Sequence, residues 1–153
     1  MAEDRAPRPI VMDTSFLVQL SEPGGMAAME RIEELLGGGR PRLRLLIPSC
    51  VVDELRSLSR RLPGAALAME FVRGGRPGIE VEVVERRGRP DDAVLELALE
   101  SRGVLATMDG GLLRRARRMG VPTLTLHGGM PALTGDPAWR GPPRTREPSR
   151  PEG

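Results

Sequence analysis

Lysine is absent from this chain of 153 residues, so all 23 basic residues are arginine. A phosphate-binding P-loop needs a lysine against the phosphates, and a Schiff-base enzyme needs a side-chain amine. The composition therefore argues against both classes of protein. Arginine suits bidentate contacts with phosphate, although codon usage accounts for an arginine-only composition equally well.

Cysteine and aromatic residues are also scarce. The single cysteine, Cys50, excludes an internal disulfide and a zinc site built from cysteines. We expect it to be a small buried residue of the core. Tyrosine is missing and aromatic residues make up 2% of the chain, which argues against the base-stacking surfaces of single-strand-binding proteins.

Long apolar runs are missing as well. No stretch approaches the ~20 residues that span a bilayer, and the first residues lack the apolar segment of a signal peptide. We therefore expect a cytoplasmic protein without a membrane segment. The formal net charge is only +2, so any basic surface must be local.

Short apolar runs alternate with segments of helical periodicity along most of the chain. The predicted strands are 10–12, 43–47, 79–84, 104–107 and 121–126. Such alternation with short connections predicts an α/β protein with a parallel sheet covered on both faces. We predict a frayed N-terminus over 1–8, one domain over 9–127, and a Pro/Gly/Arg-rich tail without stable structure over 128–153.

Four carboxylates lie where the chain leaves a predicted strand or enters a helix: Asp13, Glu54, Asp92 and Asp109. In an open parallel sheet such points meet at the carboxyl edge, where ligands bind. Like charges crowded together remain ionised only beside a cation. Oxygen ligands without Cys or His favour Mg²⁺ or Mn²⁺. Asp13 taken alone is equally well explained as a helix N-cap.

The order of these segments resembles the PIN-domain nucleases. The segments that carry the resemblance are Asp13-Thr14-Ser15, 48–55 with Glu54, 91–98, and Leu105-Ala106-Thr107-Met108-Asp109. It covers about residues 9 to 126. It implies a three-layer α/β/α fold with about five parallel strands and a ribonuclease dependent on Mg²⁺ or Mn²⁺. The chain is most similar to stand-alone archaeal-type PIN proteins and their ribosomal-RNA-processing relatives, and more distantly to VapC-type toxins.

The resemblance also implies roles for individual residues. Asp13 would be the central metal ligand, Asp92 and Asp109 would be further ligands, and Glu54 would orient water or hold a second ion. Ser15 and Thr107 would support these ligands by hydrogen bonds. Between Asp91 and Asp92, one would cap the helix while the other reaches the ion. The family pattern favours Asp92 as the ligand.

Arginines flank these segments and would contact RNA phosphates. The sets are Arg114, Arg115, Arg117 and Arg118 after Asp109, and Arg56 and Arg60 after Glu54. The alternative is a solvated helix face without a ligand. Further partners that the family implies are an antitoxin, a ribosome-assembly protein, or a second copy bound through helices 26–36 and 65–72. The alternative function is a catalytically silent PIN module that binds RNA or protein.

Overall fold

The computed structural model describes residues 8–36 and 43–135. The strands in these ranges are β1 (Ile10–Met12), β2 (Leu43–Pro48), β3 (Ile79–Val84), β4 (Val104–Ala106), β5 (Thr123–His127) and β6 (Met130–Thr134). The helices are α1 (Thr14–Leu20), α2 (Gly25–Leu36), α3 (Ser49–Leu58), α4 (Pro63–Gly74), α5 (Pro90–Ser101) and α6 (Gly110–Arg118).

The strands form one sheet in the order β3-β2-β1-β4-β5-β6. The first five are parallel, and only β6 is antiparallel to its neighbour β5. Helices flank this sheet, so the predicted α/β class with a central, mostly parallel sheet is confirmed. The chain first adds β2 and β3 on one side of β1 and then adds β4, β5 and β6 on the other side. The direction of strand addition thus reverses at the gap between β1 and β4, which is the switch point of the sheet. Ligands bind at the carboxyl end of such a switch point.

Burial explains why the short central strands form. Every residue of β1 and β4 is buried, because helices cover a parallel sheet on both faces. The covering helices carry an apolar face, as α2 does with Ala28, Met29, Ile32 and Leu36 at spacings of three or four residues. The elements are therefore built around one continuous core beneath the switch point.

The prediction of an unstructured tail from Gly128 was wrong for its first residues. Gly128 and Gly129 both have positive φ angles, 59° and 81°, which is the geometry of a two-residue hairpin turn. The turn returns the chain as β6, whose Met130 lies opposite His127. The rest of the predicted tail, including Trp139, lies outside the described residues.

Two smaller expectations also need correction. The N-terminal prediction of fraying was wrong for Arg8, since its guanidinium donates two hydrogen bonds, of 3.2 and 3.0 Å, to the carbonyl of Arg102. Cys50 is half-buried rather than part of the core. Residues 1–7 lie outside the described ranges.

The described helices are short. The longest, α2, α4 and α5, have 12 residues each, and none in the described ranges is long and apolar enough to cross a membrane. The two helices expected to offer a dimer interface do expose apolar side chains, Met26 on α2 and Leu67 on α4.

Candidate active site

Asp13 and Asp109 follow the two strands that flank the switch point. Met12 of β1 lies opposite Ala106 of β4, and the backbone N–H of Asp13 donates to the carbonyl of Ala106 at 3.1 Å. Asp109 comes three residues after Ala106 and caps α6. The pairing of β1 with β4 therefore brings the two acids to one edge of the sheet, as the sequence predicted.

The carboxylate of Asp13 is held on both oxygens. Its Oδ1 accepts hydrogen bonds from the Phe16 backbone N–H at 3.0 Å and from Ser15 Oγ at 2.9 Å, and its Oδ2 accepts one from Thr107 Oγ1 at 2.5 Å. Asp13 thus does cap α1, yet it is also only 6% exposed. Burial raises the pKa of Asp13, and the three hydrogen bonds counteract that effect only in part.

Ser15 and Thr107 link Asp13 to the loop that carries Asp109. Ser15 Oγ accepts from the Met108 N–H at 3.0 Å, and Thr107 Oγ1 accepts from the Asp109 N–H at 3.0 Å. The two hydroxyl oxygens lie 3.4 Å apart. Both residues therefore contact Asp13, where the sequence predicted support for it. The side chain of Met108 takes no part and packs against the core instead.

The side chains of Asp109 and Glu54 are exposed, but a hydrogen bond fixes the orientation of each carboxylate. The Oδ2 atom of Asp109 accepts from the Leu112 N–H at 2.8 Å, which fixes it at the start of α6. Glu54 Oε1 accepts from Thr14 Oγ1 at 2.5 Å. Thr14 was missed by the sequence analysis. Its position directly after Asp13, at the start of a helix, was the signal that could have revealed it.

Asp91 is the acid of α5 that faces the other carboxylates. Asp91 is exposed, yet partial desolvation raises its pKa first, the negative charges of Asp109, Glu54 and Asp92 raise it further, and the positive charge of Arg115 counteracts part of the rise. The charge of Asp91 also raises the pKa of Asp13. Asp91 therefore lies within electrostatic range of Asp13, Glu54 and Asp109 at this edge of the sheet.

The carboxylate of Asp92 instead contacts an arginine of α6. Its Oδ1 accepts a hydrogen bond from Arg115 Nη2 at 3.0 Å, and both side chains are about half exposed. Neither Asp91 nor Asp92 caps α5, because the N-cap is Arg89 and makes no side-chain hydrogen bond. The arrangement thus favours Asp91 over Asp92, the opposite of the preference drawn from the sequence.

The four converging acids are Asp13, Glu54, Asp91 and Asp109. Their donors are all carboxylate oxygens, which suit hard cations. Across the described ranges, no three His, Cys, Asp or Glu side chains stand close enough together to enclose one ion directly. The set fits an ion such as Mg²⁺, which keeps several waters and needs only one or two protein carboxylates.

The structure divides the predicted RNA-binding arginines. A methyl group placed on Gly110 would contact Nη1 of Arg114 at 3.5 Å, so this guanidinium lies over the first turn of α6, beside Asp109. Arg115 lies beside Asp92. Arg117 and Arg118 are exposed and lie roughly 12–14 Å along the helix axis from Asp109.

The arginines after Glu54 are less directed. Arg56 Nη1 pairs with Asp53 Oδ1 at 3.1 Å, and both side chains are exposed. Arg60 is exposed and follows the end of α3. Only Arg114 and Arg115 of the predicted set therefore border the four acids.

The fold and this acidic crevice define the chain as a mixed α/β protein with a polar site at the switch point of its sheet. The fold is similar to the structure of the PIN domain endonuclease Utp24, with 19% identity, a TM-score of 0.66, and coverage of 84% of this chain and 92% of that chain. It is also similar to a domain of a functionally unknown protein from Methanocaldococcus jannaschii DSM 2661, with 21% identity, a TM-score of 0.58, and coverage of 78% and 91%. The chain thus has a PIN-like fold. Comparisons of its sequence with family models and with curated proteins find no match.

Proposed function

We propose that this chain is an endoribonuclease that hydrolyses RNA phosphodiester bonds with the aid of Mg²⁺ or Mn²⁺. The observation that carries the proposal is the convergence of Asp13, Glu54, Asp91 and Asp109 at the switch point. Perturbed carboxyl groups gathered in a crevice mark a functional site. The PIN-like fold, shared with a protein described as an endonuclease, supports the reaction class.

One or two of Asp13, Asp91 and Asp109 would bind the ion directly and the others through its waters, with Glu54 beside it. A cation would favour the ionised forms of these acids, since burial and neighbouring negative charges raise the pKa values of Asp13 and Asp91. When bound, such an ion supplies Lewis acidity that lowers the pKa of water and neutralises charge on the phosphate.

The protein's own groups would orient the reactants. Three hydrogen bonds keep the Asp13 carboxylate in one position, as precise placement of reacting groups requires. Glu54 is fixed through Oε1 by Thr14, so its Oε2 is left to accept a proton from the attacking water. The water oxygen then forms a bond to phosphorus, the bond to the leaving oxygen breaks, and that oxygen takes a proton from solvent.

Arg114 and Arg115 would bind the RNA backbone beside the cut. Their guanidinium groups border Asp109 and Asp92, and arginine is suited to bidentate phosphate contacts. Arg117, Arg118, Arg56 and Arg60 would add only long-range attraction, because they lie farther along their helices or are paired at the surface.

The same hydrolysis would serve the processing of a stable RNA or a toxin that cuts cellular RNA. A ribosome-assembly protein would be the partner in the first case, and an antitoxin covering the acids in the second. A silent module that binds RNA is the competing function. The lack, within the described ranges, of three carboxylates that enclose an ion is the observation that favours it.

The test is cleavage of a structured RNA by the purified protein with Mn²⁺, Mg²⁺ or EDTA. Asp13→Asn should abolish metal-dependent cutting, while Glu70→Gln, which removes an exposed carboxylate of α4, should leave it intact. Equal cutting by wild type and Asp13→Asn would reject this site as the source of the activity. RNA binding without cutting by either protein would favour the silent module.

A further inference from the structure

A cleft of about 770 Å³ lies beside the acids on the β3 side of the sheet. One wall is the start of α3, with Cys50, Asp53 and Glu54, and the other is the loop between β3 and α5, with Arg87 and Pro90. We call it the α3 cleft. Because Glu54 belongs to the acidic site and Pro90 directly precedes Asp91, the cleft opens onto that site. Its volume falls within the range of small-molecule sites, roughly 300–1,000 Å³.

The two walls are fixed to each other. Ser49 Oγ donates to the Arg86 carbonyl at 2.9 Å and accepts from the Arg86 N–H at 3.0 Å. The Arg86 guanidinium is bound to Glu100, with Nη2 at 2.6 Å from Oε1. The cleft is therefore formed before any ligand binds, and binding would not have to order the loop.

Arg87 is the accessible cation among the residues that line the cleft, since Arg86 is paired with Glu100. Its side chain is 88% exposed, and its ion pair with exposed Glu85 is long, at 3.5 Å. Exposed pairs of this kind contribute little and exchange readily. The exposed carboxylates of Asp53 and Glu54 line one wall of the cleft and would repel a phosphate there. The cleft thus offers acceptors inside and a cation at its rim.

The arginines and acids follow the order of the strands. Arg87 follows β3, the acids occupy the edge above β2, β1 and β4, and Arg114 and Arg115 follow β4. Neighbouring strands are spaced by ~4.8 Å, so β3 and β4 lie about 14 Å apart. A nucleic-acid backbone lying along this edge would meet a cation on each side of the acids.

We propose that the α3 cleft holds the ribonucleoside next to the scissile phosphate while Arg87 contacts the following phosphate. The proposal rests on the proposed function, for which it supplies a substrate subsite. Carboxylates inside the cleft accept hydrogen bonds from a ribose 2′-hydroxyl and from base amino groups. The 2′-hydroxyl is the group that distinguishes RNA from DNA, so the cleft selects RNA.

Cys50 allows the cleft to be probed directly, because it is the only cysteine of the chain and lines one wall. The wild-type protein is treated with iodoacetamide, with Ca²⁺ in place of Mg²⁺ to suppress cutting, alone and with a short single-stranded RNA. Burial raises the pKa of the Cys50 thiol, so the reaction is run at mildly alkaline pH. RNA should slow the alkylation severalfold, and DNA of the same sequence should slow it less.

A charge test accompanies the labelling. Arg87→Ala should weaken RNA binding and reduce the slope of log K against log salt by about 0.7, the value for one phosphate contact on a single strand. The matched control is Arg73→Ala. It removes the same charge from the exposed last turn of α4, which leads to the start of β3 at the opposite edge of the sheet.

The outcomes separate this proposal from the proposed function. Cys50 labelling unaffected by RNA, with Arg87→Ala equal to Arg73→Ala, would overturn the cleft even if metal-dependent cutting is found. Protection of Cys50 with a reduced salt slope would support the cleft even if no cutting is found. Equal protection by RNA and DNA would overturn the assignment of the 2′-hydroxyl to the cleft, and a lack of RNA binding would overturn both proposals.

Discussion

At the scale of single residues, the orientation of two adjacent acids decides the composition of the site. The negative charges of Asp109 and Glu54 raise the pKa of Asp91, and the charge of Asp91 raises the pKa of Asp13. Asp92 is bound to Arg115. Adjacent helix positions differ by about 100° in direction, so the two carboxylates point to different parts of the site.

The pair Asp91→Asn and Asp92→Asn tests this assignment. We expect Asp91→Asn to lower RNA cleavage at least about 100-fold, since it removes a carboxylate that faces the ion. Asp92→Asn should lower it only about tenfold, the small end of the range for a group that acts through a neighbour. The measurement is the initial rate with saturating Mn²⁺. The opposite ranking would restore Asp92 as the ligand.

The raised pKa of Asp13 links stability to pH with a definite sign. The native state holds the proton of Asp13 more tightly than the unfolded chain, whose carboxyl has the ordinary value of 3.8. Between these two values the native state binds more protons, so the free energy of unfolding falls as pH rises through that window. The ionised, buried carboxylate thus destabilises the metal-free protein at neutral pH.

Asp13→Asn removes this dependence. We expect the free energy of unfolding of the variant, relative to wild type, to be higher at pH 7 than at pH 4.5. Urea denaturation of both proteins in EDTA at the two pH values measures it. A relative stability that is constant, or that falls with pH, would contradict the raised pKa of Asp13.

At the scale of elements, the average composition failed to predict β6, whereas the two residues of the turn before it indicate a hairpin. Averaged from Gly128 onward, the chain is rich in Pro, Gly and Arg, which predicts a tail. The pair Gly128-Gly129 between Leu126-His127 and Met130 is instead a hairpin signal. Pro131 lies opposite Leu126 in β6, and the outermost strand of a sheet tolerates proline.

A second element-scale lesson concerns the end of α5. A glycine directly after a helix commonly supplies the positive φ angle that ends it, yet after α5 the positive φ, 58°, belongs to Arg102. Gly103 is required for space instead, since a Cβ there would lie 2.6 Å from the Pro9 carbonyl oxygen. Sequence patterns located the end of the helix, but only the packing against the chain before β1 explains why glycine occupies that position.

Truncation tests the contribution of β6. A chain ending at His127 should be less stable than one ending at Gly135, because it loses five cross-strand pairs and exposes the edge of β5. At about 0.2–1 kcal/mol for each pair, the loss is roughly 1–5 kcal/mol. Thermal unfolding of the two truncated chains compares them directly. Equal Tm values would mean that β6 does not stabilise the sheet.

At the scale of the whole molecule, the sequence predicted the edge at which the site lies but not its internal arrangement. Alternating strands and helices imply a parallel sheet, and acids after strands must then meet at its carboxyl edge. The strand order, and with it the pairing of Asp13 with the Thr107 loop, depends on long-range packing that no local pattern encodes. The contacts of Thr14 with Glu54 and of Arg115 with Asp92 also join distant segments, of 40 and 23 residues separation.

Metal binding should stabilise the whole fold, because the ion would bind only the native arrangement of the acids. At an ion concentration of 100 times Kd, linkage gives about 2.7 kcal/mol. For a chain of this size that corresponds to a rise in Tm of roughly 5–10 °C. We expect Mn²⁺ to produce such a rise in wild type and in Asp53→Asn, whose substitution lies outside the four acids. Asp13→Asn should lose most of the rise. The same rise in all three proteins would mean that the ion binds outside the four acids.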